Sequence, residues 1–339
     1  MKQHLNTLFI TTQESYLAKD GECVAIYQGD TLKGKIPIHT LGGLVLFGQV
    51  SCSPFVLGLC AENRVTVSWL TVHGRFMASM HGPTSGNVLL RREQYRRADS
   101  EDASALLARD FVIGKIANCR TVLQRTARER PDARLTSACA SLAASLARLR
   151  EPLPLNVVRG IEGEAANAYF GAFDALISQK DPAFRFTGRN RRPPLDAVNC
   201  LLSFLYTLLA HDVRSALESC GLDPAVGFLH RDRPGRPSLA LDSMEEFRPY
   251  LADRLACTLI NRGQVRARDF CRTESGAVHM DEGARKEVIN AWQERKQEVV
   301  EHPFLQEKMP VGLLYHCQAR LLARHLRGDL DSYPPFVIR

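Results

Sequence analysis

The segment "FLHRDRPGRPSLALDSMEEFRP", Phe228–Pro249, sets a histidine ahead of an arginine- and proline-rich run and then places Asp242 and Glu245 three apart in an apolar helical pattern. Two readings lead to different proteins. In one, Asp242 is an N-cap and Glu245 the third helical residue, a capping box that satisfies the free amides of an ordinary helix. In the other, spacing of three puts both carboxylates on one face of the first turn. With His230 they would then hold a hard divalent cation in a mixed nitrogen and oxygen site suited to Mn²⁺ or Mg²⁺.

The surroundings of this segment are helical. From "SEDASALLARDFVIGKIANCRTVLQRTARER" onward, Leu106, Leu107, Val112, Ile113, Ile116, Val122 and Leu123 recur at helical spacing, with Ser100 and Asp102 at the start. Further helices are expected in "LTSACASLAASLARLRE", "VVRGIEGEAANAYFGAFDALISQ", "PPLDAVNCLLSFLYTLLAHDVRSALESCG", "MEEFRPYLADRLACTLINRG", "DEGARKEVINAWQERKQEVVEHPF" and "LLYHCQARLLARHLRGDL". A small hairpin is expected in "QVRARDFCRTESGAVHMD".

Upstream the period changes. "TLFITT", "CVAIYQG", "KGKIPI", "GGLVLFG", "RVTVSWL" and "GRFMASM" are short, rich in β-branched and aromatic residues, and separated by Asp-Gly, Gly-Asp, Gly-Gly and Glu-Asn turns. "SPFVLGLCAEN" interrupts them as one helix, with Ser53 as cap and Pro54 at its first position. The expected class is α+β: a small β-rich N-terminal domain, residues 1–87, a linker at 88–100, and a larger all-α domain at 101–339.

The 339 residues carry a net charge of +7, and residues 1–88 hold only six Lys and Arg against five Asp and Glu, so the excess lies in the helical part. Arginine outnumbers lysine 35 to 9, which suits phosphate recognition but also follows from GC-rich coding. The ten cysteines form no CxxC pair or cluster and read as reduced thiols of a cytosolic protein. No signal peptide opens the sequence. The uncharged run Ile36–Ala61 is long enough for a bilayer, yet its glycines, Pro54 and polar residues read as buried strands and a helix.

Glu162 lies between Gly160 and Gly163 in "RGIEGEAANAYF". It reads either as a dipole-favoured glutamate of the first helical turn or as a ligand beside small residues that admit close approach. Glu164 is a rival that periodicity does not separate. "RFTGRNRRPPLD", with Arg185, Arg189, Arg191 and Arg192, is a solvated loop or a backbone-phosphate clamp.

Taken together, "GIEGEAANAYF", "RRPPLDAVNCLLSFLYTLL", "GFLHRDRPGRPSLALDSMEEFRP", "ARLLARHLRGDL" and, nearer the start, "SCSPFVLGLCAENRVTVSWLTVHGRF" resemble the CRISPR-associated integrase of spacer acquisition, the universal adaptation nuclease family. The resemblance covers nearly the whole chain. It implies a β-rich domain that pairs with its twin in a homodimer and a helical catalytic domain. It implies the metal ligands Glu162, His230 and Glu245, with Asp242 a catalytic neighbour rather than the main ligand. The second helix acid is an aspartate in many members, so Glu245 reaches one methylene further and leaves the choice between Mg²⁺ and Mn²⁺ open. Arg248 matches a basic position near the site. Asn199 and Tyr206 match polar residues expected at DNA, alongside Arg189, Arg191 and Arg192. The implied activity is metal-dependent integration of short foreign duplexes into a CRISPR array by 3′-hydroxyl attack, together with endonuclease action on branched DNA. The implied partners are double-stranded DNA and a small ferredoxin-fold protein in a four-plus-two complex. The implied setting is the prokaryotic cytoplasm, with no membrane. A repair nuclease and a non-enzymatic DNA scaffold are the competing readings.

Overall fold

Alternating apolar residues and glycine turns build the N-terminal strands. In the computed structural model, which describes residues 7–72, 76–80, 82, 88–190 and 192–338, these are β1 (Thr7–Ile10), β2 (Ser15–Asp20), β3 (Cys23–Gln28), β4 (Thr31–Pro37), β5 (Gly43–Phe47), β6 (Ser51–Cys52), β7 (Thr66–Leu70) and β8 (Phe76–Met80). They form two four-stranded sheets, in the orders β1-β5-β7-β8 and β4-β3-β2-β6. β1, β5 and β7 run parallel, whereas β2, β3 and β4 form an antiparallel meander. Gly21 and Gly29 take positive φ at the two tight turns of that meander, where a side chain would be strained.

Helix α1 (Pro54–Glu62) begins as expected: Ser53 Oγ accepts the Val56 amide at 3.2 Å, and Pro54 occupies the first position. Leu17, Val24, Leu44, Leu46, Val67 and the α1 residues Val56, Leu59 and Cys60 share the core of this unit. β2 and β6 were not foreseen. β2 contains Lys19 and ends on Asp20, and β6 is two residues long, too short for any periodicity.

The second unit holds α2 (Val88–Asp99), α3 (Glu101–Glu129), α4 (Ala133–Arg148), α5 (Leu155–Ala172), α6 (Ala197–Ser219), α7 (Ser238–Met244) and α8 (Arg254–Asn261). These are followed by the hairpin β9 (Phe270–Arg272) with β10 (Val278–Met280), then α9 (Glu282–Gln297), β11 (Val299–Glu301) paired with β12 (Lys308–Pro310), and α10 (Leu314–Leu326). A π-helix, Arg248–Asp253, joins the end of α7 to α8. α3, α4 and α5 pack against one another, and α6 packs against α7 and α10.

The α+β class is as expected, and the helical domain carries the expected hairpin, β9 with β10, and a second one, β11 with β12. The expected bounds change. The stretch expected as a linker is helix α2, because Gln94 is buried and its side chain bonds the carbonyls of Asp223 and Val226 (both 2.8 Å) and the amide of Asp223 (2.9 Å). Finally, residues 293–298 and 310–313 belong to the N-terminal unit, Met1–Gly86, rather than to the helical one. Leu106, expected on the buried face of α3, is 47% exposed, while Leu107, Val112, Ile116, Val122 and Leu123 are buried. All ten cysteines carry free thiols. Ile36–Ala61 resolves into the end of β4, β5, β6 and α1, and no helix among the described residues is long and apolar enough to cross a membrane.

Replacing Ser53 with Ala should lower the stability of the N-terminal unit by about 1 kcal/mol, the usual cost of a lost cap. Urea unfolding followed by Trp69 fluorescence would show it as a lower midpoint.

Candidate active site

The loop before α7 is pinned by one carboxylate. Asp242 Oδ2 accepts the amides of Phe228 (2.6 Å) and Leu229 (2.9 Å), while Oδ1 accepts the amide of His230 (3.0 Å) and lies 2.6 Å from His230 Nδ1. Gly227 makes this wrap possible: a Cβ there would stand 2.6 Å from Asp242 Oδ2 and 2.8 Å from the Ser238 carbonyl carbon. α2 supports the same loop from behind through Gln94, and Arg159 Nε of α5 donates to the Leu229 carbonyl at 2.6 Å.

The capping box is therefore not formed. α7 begins at Ser238, so Asp242 lies inside the helix and Glu245 closes it. Asp242 is fully buried and engaged with the loop, a positioning residue for His230.

Glu245 has different partners. Its Oε1 is 2.5 Å from Arg248 and its Oε2 is 2.8 Å from Lys115 Nζ of α3. The same ammonium donates to Glu162 Oε1 of α5. Glu162 and Glu245, 83 positions apart in the numbering, thus share one cation. Glu164 does not take part: it is 61% exposed at its side chain and pairs with Arg148 at 2.5 Å. Beside Glu162 opens a cleft of about 360 Å³ lined by Arg159, Glu162, Leu229, His230, Arg231, Arg233 and Arg236. A Cβ at Gly160 or Gly163 would meet nothing within 4 Å, so no protein group approaches there and the space along α5 is open.

Of the residues expected at DNA, Arg189, Tyr206 and Arg248 pack together, and none of the described ones lines the cleft. The guanidinium carbons of Arg189 and Arg248 lie 5.2 and 4.9 Å from the centroid of the Tyr206 ring, in cation–π contact. Tyr206 Oη donates to Asp253 Oδ1 at 2.7 Å, and Tyr169 Oη donates to Asp253 Oδ2 at 3.0 Å. Asn199 is fully buried. Its amide bonds the Gly188 carbonyl (2.8 Å), Asp196 (2.7 Å) and Arg189 (2.6 Å), so it shapes the 188–196 turn and offers no surface to a phosphate. Arg192 is exposed. Arg191 lies outside the described residues.

A family model described as CRISPR associated protein Cas1 matches residues 8–294. The chain belongs to the Cas1 family. It is 62% identical over 343 residues to CRISPR-associated endonuclease Cas1 1 of Chlorobaculum tepidum, with all of both chains covered. It is 50% identical over 344 residues to CRISPR-associated endonuclease Cas1 2 of Rhodospirillum rubrum, covering 99% of each. A solved Cas1 protein from Thermotoga maritima, 23% identical, superposes with a TM-score of 0.83 over 95% of this chain and 97% of its own, which establishes the fold.

The donor set in this Cas1 chain fits a hard cation. Two carboxylates already converge on one positive charge, and Glu245 Oε2 is buried and accepts no directed hydrogen bond although the ammonium stands near it. His230 lines the cleft next to Glu162, with Nδ1 committed to Asp242 and Nε2 as its remaining nitrogen. As placed, no three His, Cys, Asp or Glu side chains among the described residues are close enough to hold an ion, so His230 would have to draw toward the two acids.

Sequence reasoning missed Lys115, Arg159, Arg231, Arg233 and Arg236. Lys115 carried a signal, as the single charge in the apolar run "FVIGKIANC". Arg159 stands three before Glu162, one turn away on the same helix face.

The charges are strongly linked. Burial opposes ionisation of Glu245, but Arg248 and Lys115 outweigh it and hold the carboxyl well below its ordinary range. Burial likewise opposes the charge on Lys115, and Glu245 and Glu162 overcome it and raise its pKa. Removing one partner of a buried ion pair typically costs about 3–5 kcal/mol. Lys115→Met should destabilise the helical unit by about that much, measurable by urea unfolding.

Burial pushes the Asp253 carboxyl up to about 6, against the hydrogen bonds of Tyr206 and Tyr169. Between about pH 4 and pH 6 the folded chain keeps a proton that the unfolded chain has lost. Stability should therefore fall as pH rises through that window, by roughly 3 kcal/mol at about 1.4 kcal/mol per pH unit. Thermal unfolding of Asp253→Asn across pH 4–7 should lack this component of the fall.

Proposed function

We propose that this Cas1 chain is a divalent-metal-dependent DNA integrase and endonuclease that inserts short foreign duplexes into a CRISPR array. The observation that carries the reading is the pair of carboxylates, Glu162 and Glu245, converging on one cation next to a cleft lined by four arginines. Glu162, Glu245 and His230 would hold Mg²⁺ or Mn²⁺. The ion supplies Lewis acidity toward a phosphoryl oxygen and toward the attacking hydroxyl.

The chain's own residues do the rest. Asp242 holds His230 by backbone and ring together, which fixes the ring and leaves Nε2 as the free nitrogen. Arg248 and Lys115 keep Glu245 ionised in a buried place. Arg159, Arg231, Arg233 and Arg236 set positive charge around the cleft, where a phosphodiester backbone would be held and its developing charge offset. No side-chain nucleophile is needed, because the 3′-hydroxyl of the captured fragment attacks the repeat-boundary phosphodiester and the leaving 3′-oxygen departs. Water in place of that hydroxyl gives the endonuclease reaction.

The same reading includes a homodimer bound to double-stranded DNA and joined by a small ferredoxin-fold partner in a four-plus-two complex in the prokaryotic cytoplasm. Arg189 and Arg248 serve it by supporting Tyr206 and Glu245, with Arg192 at the exposed rim.

The test is strand transfer of a 3′-hydroxyl duplex into a supercoiled plasmid carrying a CRISPR repeat, with the small partner and Mn²⁺ or Mg²⁺ present. Joining should fall at least about 100-fold in Glu162→Ala and His230→Ala, of the order seen when a group that stabilises the transition state is lost, while Glu164→Ala stays near wild type. Cleavage without joining would favour a repair nuclease. DNA binding with neither reaction would make the chain a scaffold.

A further inference from the structure

The residues after α10 are bound tightly to the back of the turn that carries Glu245. Glu246, the next residue, is fully buried, and its carboxylate accepts Tyr333 Oη (2.5 Å), the Phe336 amide (2.5 Å) and Gln318 Nε2 of α10 (3.0 Å). Asn118, one turn along α3 from Lys115, ties the same two segments together. Its Nδ2 donates to the carbonyls of Glu246 (2.7 Å) and Phe336 (2.8 Å), and its Oδ1 accepts the Ile338 amide (2.9 Å).

The Phe336 ring is stacked on Phe247 at 5.4 Å between centroids and packs against Tyr250 at 5.6 Å. Tyr333 and Phe336 are each 2% exposed. At Gly114 a Cβ would lie 2.9 Å from Glu246 Cγ and 3.1 Å from Pro335 Cβ, so α3 admits both segments only because that position has no side chain. The tail is folded into its own helical unit.

We propose that Tyr333–Ile338 is a positioning clamp for the Glu245–Arg248 turn. The inference rests on reading Glu245 as a site residue. The turn is where the backbone changes winding: α7 ends at Met244, the amides of Glu245 and Phe247 reach back only three residues, to Asp242 and Met244, and a π-helix begins at Arg248. At 246–247 two side chains, the Glu246 carboxyl and the Phe247 ring, are held by residues 333–336, and one backbone group, the Glu246 carbonyl, is held by Asn118, which also bonds the tail at Phe336 and Ile338. Lys115 and Arg248 pair with the Glu245 carboxylate from the other side. The clamp thus anchors the residues that follow Glu245, and the cations hold its carboxylate.

The experiment compares the intact chain with one ending at Ser332 and with Tyr333→Phe. Backbone amide hydrogen exchange is followed over residues 240–252, with α4 as an internal reference, alongside the rate of strand joining and DNA affinity. In the shortened chain, exchange at 245–250 should accelerate about tenfold or more, as expected when a locally held segment opens. The joining rate should drop while DNA affinity holds, and the peptide YPPFVIR added in trans should reverse both changes. Tyr333→Phe should accelerate the same amides by roughly threefold through one lost hydrogen bond and leave α4 unchanged, which separates positioning from global unfolding if the shortened chain does not fold. Unchanged exchange at 245–250 in both variants overturns the clamp, as does accelerated exchange with wild-type joining. An intact chain that joins no strands would refute the proposed function, and the exchange data would still decide the clamp.

Discussion

A buried ammonium group between two carboxylates sets the geometry of the helical unit. Lys115 is 7% exposed and Glu245 2% exposed, so their charges are drawn together with little solvent between them. Neither charge would persist in that place alone, since an unpaired buried ion is strongly disfavoured. The three elements that supply the trio, α3, α5 and the turn after α7, are thereby held in one arrangement. Arg248 extends the linkage to the Tyr206 ring and, through Arg189, to the turn at 188–196. The two acids are thereby gathered by the chain's own charges.

Asp242 shows how the same residue type serves a different end three positions away. Its carboxylate accepts three successive amides and faces an imidazole, and each of these bonds is made to a loop that has no secondary structure of its own. Such an anion in a ring of backbone donors keeps the 228–230 loop close to α7, with Gly227 giving it room. Loss of that charge would free His230 before it affected either glutamate.

The layout of strands and helices was legible because it rests on local pattern. Period-two runs with glycine turns gave β3, β4, β5 and β7, and helical spacing gave α3 through α6 and α8 through α10. Ser53 and Ser100 announced the two starts they cap. The pairs that the structure brings together, His230 with Asp242 and Glu162 with Glu245 across Lys115, lie among the residues that motif resemblance singled out, whereas spacing alone left open whether Asp242 caps a helix. Lys115, the arginines of the cleft and the buried role of Asn199 depend on contacts between residues far apart in sequence, and no local period carries that information. The helical nature of 88–99 was obscured for a related reason. Its four arginines suggested a solvated connector, while the residue that anchors it, Gln94, is a polar side chain whose partners lie 129 and 132 positions away.

The N-terminal unit includes residues 293–298 and 310–313, with Gln293 Nε2 donating to the Thr7 carbonyl at 3.0 Å and Lys296, 1% exposed, reaching the Thr7 hydroxyl at 3.3 Å. During synthesis most of this unit is made before the helical one, yet it is not complete until residue 313 has been added. At about 5–20 residues per second, its β-sheets wait roughly 10–45 s for the segments that complete them. Throughout that interval β1 lacks the hydrogen bonds that Gln293 and Lys296 make to Thr7, so the order of translation bears on when this strand acquires its full set of contacts.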